Sequence, residues 1–298
     1  MNMEPQVYAE FLERLGHTVR EAHGVYWYNV FSHAWICFPL ETQLSPSEID
    51  LSRILEGDRG GLVRYCCRVD DGAAGFRHVV SGGDYGFASL ESKARNQTRQ
   101  GLEKCVCGAA DAREIAGEGI ELHAETLIRQ GRRLARGYED YWRRYFEALA
   151  ECPAATVWTC RYEGRLASFL ISFRIGTVEN ICIVRSRAEL LRHRPNNAML
   201  FTFLQQALQR TDTTEVCIGL QSLQPQMSSL ETFKRCMGFE ERPIGQRIEV
   251  RAPLGIGVPR FLARLAGGMA GRVGGEYAAR LAGALEIYGS QPRVRRVA

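Results

Sequence analysis

No run of apolar residues in this chain is long enough to cross a bilayer. The longest charge-free stretch, Val25 to Leu40, is interrupted by Asn29, Ser32 and His33, and a helical span needs about 20 consecutive apolar residues. The opening residues MNMEPQVYAEFLERLG lack a basic region followed by an apolar one, so no signal peptide is expected. Paired metal-ligand motifs are missing as well. Cys66 and Cys67 are adjacent, Cys105 and Cys107 are one residue apart, and no Cys-x-x-Cys pair has a second pair to complete four ligands. Cys160, Cys182 and Cys217 sit in apolar, strand-like runs, where a free thiol behaves as a small hydrophobe. The expectation is reduced structural thiols, with no metal and no Cys–His nucleophile. A basic body is missing too. The net charge is +4, but from Arg251 onward eight arginines face only Glu276 and Glu286, which puts a tail of +6 on a body of −2. Such a body does not coat nucleic acid, so DNA is not an expected partner. These absences together predict a cytoplasmic chain.

What is present suffices for two domains. At 298 residues and 45% hydrophobic, the chain can bury a large core. Its second half reads clearly. GYEDYWRRYFEALAE carries Trp142, Tyr145, Phe146 and Leu149 at helical spacing, with Pro153 to stop it. TVWTCRY, Glu163-Gly164 and RLASFLISFRI read as two strands about a tight turn, and TVENICIVR as a third after Gly176. AMLFTFLQQALQ is an apolar helix, TEVCIGL a buried strand, SSLETFKRCMG a helix ended by glycine, and GQRIEVRA a last strand. A three-stranded meander feeding a crossover helix and a parallel strand gives a mixed α/β sheet with helices on its faces. Glu215 to Leu220 is expected to lie parallel to the third meander strand and to splay from it at one end.

The first half is fainter. GGLVRYCCRV is a strand and FASLESKARNQTRQGLEKC a polar helix on which Arg95 and Arg99 share a face. Its thin apolar coverage (Leu90, Ala94, Leu102) fits either a solvated surface helix or a substrate-facing one. The tail from Leu254 is rich in Gly, Ala, Leu and Arg. Leu262, Leu265 and Met269 share one helical face and Tyr277, Leu281 and Leu285 another, with glycine pairs between. Two short amphipathic helices are expected, either packed back on the body or lying on an anionic membrane surface, which would make the protein peripheral to the membrane.

The order β-β-β-α-β-α-β resembles the GNAT superfamily of N-acyltransferases, and within it the FemAB-type branch of peptidoglycan aminoacyltransferases and their relatives. Three stretches carry the likeness: SRAELLRHRPNNAMLFTFLQQAL, EVCIGLQS, and Phe233-Lys234 with Met237-Gly238, which is similar to the branch's Phe-Lys-x-x-Phe-Gly pattern. The likeness runs over Thr156 to Val250 and is weak over the first hundred residues. It implies a mixed-sheet GNAT-like fold of two tandem domains, with a degenerate one over 1–110, the acyltransferase domain over 111–252 and a basic tail over 253–298.

The resemblance also implies an activity, transfer of an acyl group from a thioester or an aminoacyl-tRNA to an amine such as an amino acid, a peptide or an amino sugar. No tightly bound cofactor is implied. Acyl-CoA or another acyl donor is a co-substrate, and donor phosphates would meet a helix N-terminus. RHRPNNAML offers that terminus, with Arg192 and Arg194 beside it and Asn196 and Asn197 as caps. The glycine-rich Q/R-x-x-G-x-G/A loop of acetyl-CoA-binding members is absent, which counts against acetyl-CoA and leaves a longer acyl-CoA, an acyl carrier protein thioester and aminoacyl-tRNA open. Where many GNAT proteins place a tyrosine, the FemAB branch places a lysine, and Lys234 matches it. Its cation would stabilise the oxyanion, with Gln221 and Ser222 lining the place where the acyl carbonyl reacts and Arg95 and Arg99 binding substrate. Glu179 and Glu231 are the available carboxylates, neither singled out as a base. The alternative is a catalytically silent GNAT-like scaffold that binds a ligand or a membrane.

Overall fold

The computed structural model describes residues 4–31, 33–57, 60–221, 228–251 and 276–293. They fall into two compact units. One comprises Met1–Phe11, His78–Gly219 and Ser228–Glu240, the other Leu12–Arg77, Leu220–Met227 and Glu241–Ala298. Both units are discontinuous in sequence, so a division along the chain at 110 and 252 and a division by contact are different partitions of it.

The first unit holds the meander. Strands β7 (Ala155–Tyr162), β8 (Arg165–Ile175) and β9 (Val178–Ser186) pair antiparallel in sequence order. The β7–β8 turn places Glu163 and Gly164 in the left-handed region, at φ 50° and 79°, the backbone twist a two-residue hairpin needs. Strand β6 (Cys105–Ala109) pairs with β7 at one edge. At the other, β10 (Glu215–Leu220) lies parallel to β9, as the crossover helix required.

Helices cover both faces of these strands. Helix α6 (Pro195–Gln209) buries ten of its residues, among them Met199, Leu200, Phe201, Phe203 and Leu204, because it lies between the sheet and α3 (Ser92–Lys104). Helix α3 was expected to have little face to bury. It buries Ala94, Thr98 and Gly101 instead, a stripe of small residues that lets the two helices approach closely. A Cβ at Gly101 would stand 2.6 Å from the Arg194 carbonyl oxygen. The opposite face is covered by α4 (Ala112–Arg129) and α5 (Tyr138–Ala150), with Phe146 of α5 against Phe169 of β8 at 6.0 Å. Tyr8 and Phe11 of α1 (Pro5–Arg14) close the same side on Phe173. Helix α7 (Ser228–Cys236) completes the unit.

In the second unit β1 (Val19–Ala22), β2 (Val25–Phe31) and β3 (Ala34–Phe38) form an antiparallel meander. Strand β4 (Gly61–Cys67) runs parallel to β3, and β11 (Glu240–Arg251) antiparallel to β4. The charge-free run Val25 to Leu40 is thus mostly a hairpin. Its alternate residues Trp27, Trp35 and Cys37 join Val63, Tyr65 and Cys67 in a core closed by Ile54 and Leu55 at the end of the short helix α2 (Leu51–Ile54). Strand β5 (Ala73–Ser81) carries the chain from this unit into the other.

The described part of the tail, helix α8 (Glu276–Ser290) and residues 291–293, is docked on the second unit. The Gln291 carboxamide donates to the Ile248 carbonyl at 2.8 Å and accepts from the Ile248 N–H at 2.9 Å, so one side chain stands in for a neighbouring strand. Arg247, 1% exposed, holds the Glu249 carboxylate and donates to the Asp71 and Pro292 carbonyls. These bonds favour the packed-back reading of the tail's end, and Leu285 is half-buried. The face of Leu262, Leu265 and Met269 lies outside the described residues, and no described helix is long and apolar enough to cross a membrane.

Deleting Leu254 to Ala298 should therefore lower the melting temperature, because the Ile248 N–H and carbonyl lose buried partners at a cost of about 1–3 kcal/mol each. Gln291→Ala should reproduce part of the loss in thermal denaturation. An unchanged melting temperature in both would contradict the docking.

Candidate functional site

The site begins with one extra residue in a strand. Ile171 of β8 pairs with Ile183, but the next pair is Ser172 with Ile181, so Cys182 is left over. This β-bulge bends β9 locally. Pairing of β9 with β10 runs only from Val178–Glu215 to Asn180–Cys217, although β9 continues to Ser186 and β10 to Leu220. The two parallel strands part at the bulge and leave a gap, the splay expected from the sequence. Cys182 is exposed at the surface yet crowded enough that burial pushes its thiol pKa up to about 12, and its electrostatic neighbour Cys217 is buried.

Lys234 of α7 is an electrostatic neighbour of Cys217, the last β10 residue paired with β9. It is 6% exposed, against a strong tendency of lysines to remain in water. Burial lowers its pKa below the ordinary lysine value, while Glu231 one turn back and Cys217 oppose the shift. Cys217 is therefore an electrostatic neighbour of both Cys182 and Lys234. The position of Lys234 is fixed by the helix end. Gly238 is left-handed at φ 89°, the Phe239 N–H bonds the Lys234 carbonyl at 3.1 Å, and the Gly238 N–H bonds that of Arg235 at 2.9 Å. This is the Schellman ending, which is why glycine follows Met237. The Tyr85 hydroxyl then donates to the Met237 carbonyl at 2.8 Å and the Glu91 N–H to that of Cys236 at 3.1 Å.

His78, which sequence reasoning passed over, belongs to this site. It is fully buried in β5, and its pKa is pushed down to about 4, first by burial and then by the charges of Lys234 and Arg235. It is a neutral ring at physiological pH. The signal that could have found it is a histidine inside the apolar run RHVVS.

The N-terminus of α6 adjoins the C-terminal end of β9. Arg194 caps it in the left-handed region at φ 60°, Asn196 donates to the Ser186 hydroxyl at 3.2 Å, and buried Asn197 donates to the Met237 sulfur at 3.4 Å. Among the described residues, the Arg194 Nε and Asn196 Oδ1 are sealed from solvent without a partner. Arg192 is exposed and donates to His193, whose ring stacks on Tyr162 at 3.8 Å.

Other expected residues are occupied elsewhere. Arg95 donates to the Leu90 carbonyl at 3.0 Å, and Arg99 lies over the Phe87 ring at 5.2 Å. Gln221 belongs to the second unit, where its N–H bonds the Phe76 carbonyl at 2.7 Å, and Ser222 lies outside the described residues. Glu179 is buried with its pKa raised by burial, and accepts from the Ser172 hydroxyl at 2.5 Å. It faces Val216 where β9 and β10 are still paired.

Residues 87–221 match the family model for the acetyltransferase (GNAT) domain, a stretch that contains α3, the meander, the bulge, α6 and β10. That stretch is a GNAT-type acetyltransferase domain by its family match. Lys234 lies beyond the matched stretch. Among solved structures, FemX is similar at 13% identity with a TM-score of 0.57, over 83% of this chain and 92% of that one. The C-terminal domain of an Agrobacterium fabrum protein described as a lysylphosphatidylglycerol synthetase is similar at 13% identity with a TM-score of 0.55, over 85% and 88%. At such identities the likeness is one of fold. No curated protein sequence matches the chain.

The helix end that holds Lys234 gives a direct test. A Cβ at Gly238 would stand 2.9 Å from the Ser89 carbonyl oxygen in a left-handed conformation that side chains resist. Gly238→Ala should lower stability by about 1–3 kcal/mol in denaturant titration. A neutral substitution would mean that α7 does not end as described.

Proposed function

We propose that this GNAT protein is an N-acyltransferase in which the gap between β9 and β10 receives the acyl donor and Lys234 stabilises the oxyanion. A donor thioester or ester carbonyl would lie beside the Cys182 bulge. The amine attacks the carbonyl carbon, negative charge collects on its oxygen, and the thiolate or alkoxide leaves as the amide forms. The observation that carries the reading is a buried lysine beside Cys217, at the point where two parallel strands part. An ammonium held in a poorly solvated site is worth roughly 3 kcal/mol to a developing oxyanion. The sealed Arg194 and Asn196 atoms at the α6 N-terminus, with Arg192, suit the donor's phosphates. The donor would be an acyl-CoA, an acyl carrier protein or an aminoacyl-tRNA, and the acceptor an amino acid, a peptide or an amino sugar.

Proton removal falls to solvent in this scheme. His78, neutral with a pKa near 4, is too weak a base for an ammonium, and Glu179 is enclosed with Ser172 at the closed end of the gap. The division into a degenerate first domain over 1–110, an acyltransferase domain over 111–252 and a basic tail over 253–298 belongs to the same proposal, as do a cytoplasmic setting and roles for Arg95, Arg99, Gln221 and Ser222 around the acceptor.

Lys234→Ala should lower turnover by about 100-fold, and Lys234→Arg should restore only part of it, since a planar guanidinium does not replace a compact ammonium. Activity should rise with pH as the acceptor amine loses its proton. It should fall again as Lys234 deprotonates, below the ordinary lysine value of 10.5 because burial lowers its pKa, and this falling limb should vanish in Lys234→Ala. The sign for stability is the reverse of a salt-bridged lysine's. The unfolded chain holds this proton more tightly, so the charged lysine disfavours folding below its depressed pKa and the penalty fades toward 10.5. Lys234→Met should accordingly melt no lower than the parent at pH 7. Near-normal turnover in Lys234→Ala would reduce the lysine to a packing residue.

A further inference from the structure

The meander and its following residue carry five arginines, and four have a carboxylate. Arg161 pairs with Glu118 at 2.8 Å, Arg165 with Glu189 at 2.5 Å, Arg174 with Asp212, and Arg187 with Glu125 at 3.6 Å. Arg185 has none among the described residues. Its one bond is from Nη1 to the carbonyl of the adjacent Val184 at 2.8 Å, and its Nε is sealed from solvent without a partner. It pairs across the sheet with Phe169, so its side chain lies on the face covered by α4 and α5. Tyr138, Tyr145 and Arg132 are its electrostatic neighbours. Burial first, and Arg132 second, push its pKa down to about 10, so it remains a cation at physiological pH.

A half-buried cation with a sealed, unpartnered Nε is costly, and proteins retain such groups where something else supplies the anion. The neighbour of Arg185, Tyr138, reaches solvent. Tyr138, whose hydroxyl bonds buried His123 at 2.5 Å, also lines a groove of about 720 Å³ between α4 and α5, together with Ile120, Ile128 and Leu134. Three carboxylates line that groove, yet none pairs with Arg185, and Glu125 is already committed to the Ala188 N–H and Arg187. Arg185 also stands three residues beyond the bulged Cys182 on the same strand, which is about 10 Å along an extended chain.

We propose that Arg185 is the receptor for a carboxylate of the amine acceptor, which makes the acceptor class amino acids and peptides with a free carboxyl group rather than neutral amines. A guanidinium offers two parallel N–H bonds to a carboxylate. The span from Arg185 to the bulge suits a carboxylate separated from the reacting amine by more than the single carbon of an α-amino acid, as in a dipeptide. This deepens the acyltransferase reading and rests on it for the word acceptor, while the recognition of a carboxylate stands on its own.

The test needs no turnover. The full chain is melted with propionate, glycine and glycylglycine, each compared with its amide, and with inorganic phosphate as a second anion. The carboxylates, glycylglycine foremost, should raise the melting temperature by about 3 °C near saturation, with the amides inactive. Arg185→Met should abolish the effect and, without ligand, should melt no lower than the parent, because it removes an uncompensated charge. Arg185→Lys should weaken it. Equal effects of acids and amides, stabilisation by phosphate alone, retention of the effect in Arg185→Met, or an Arg185→Met protein that melts several degrees lower with no carboxylate effect in the parent would each overturn the assignment. Carboxylate binding without any acyl transfer would leave it standing and count against the acyltransferase reading instead. Once a substrate pair is known, Arg185→Met should raise the acceptor KM far more than it lowers kcat, the opposite of Lys234→Ala.

Discussion

The acyl-transfer reading depends on the extra residue in β9. A regular strand would let β9 and β10 stay paired to their ends, and every ladder bond between them would be satisfied internally. The Cys182 bulge stands where that pairing ends, after Asn180 and Cys217, so beyond it β9 and β10 no longer share a ladder. The α6 N-terminus adjoins the end of β9 through Asn196 and Ser186 and meets the end of α7 through Asn197 and Met237. The fold around it is rigid where it must be. The Gly101 contact holds α3 against α6, and the Schellman turn at Gly238 with the Tyr85 bond holds α7.

Lys234, Arg194 and Arg185 are among the cations of this unit arranged against the ordinary preference for solvent. Lys234 is nearly enclosed, Arg194 has a sealed Nε, and Arg185 has a sealed Nε and, among the described residues, no carboxylate. Each arrangement weakens the empty protein, since a charge is moved from water to a medium that stabilises it less. Each is also what an acyl transfer would use: one cation near the reacting carbonyl, one near the donor and one near the acceptor. The other meander arginines have carboxylate partners and need no such explanation.

Much of this was legible in the sequence because it depends on short-range pattern. The Glu163-Gly164 turn, the apolar run of α6 and the glycine after Met237 give the meander, the crossover and the helix end within a residue or two. Lys234 stood out because a lysine sits at the edge of an apolar stripe. What could not be read depends on pairing partners distant in sequence. The bulge is invisible in ENICIVR because register is a property of two strands. The small-residue stripe of α3 looked like a poor helix face until α6 lay against it. The hairpin of Val25 to Leu40 read only as apolar, and the sealing of His78 and Arg185 depends on helices and strands remote in the chain.

The central claim is that the gap past the bulge is where the donor binds. Amide hydrogen exchange reads it directly, because unpaired strand edges exchange faster than laddered ones. In the free protein the N–H groups of Cys182 to Val184 and of Ile218 to Leu220 should include fast-exchanging positions, while those of Asn180 and Cys217 are slow. Titration with a series of acyl-CoA thioesters, and with an acyl carrier protein and an aminoacyl-tRNA, should slow exchange in the first two segments with at least one donor class and leave the second pair unchanged. A donor that slows exchange elsewhere in the chain but not in these segments would contradict the account, as would the absence of any change there with all three classes.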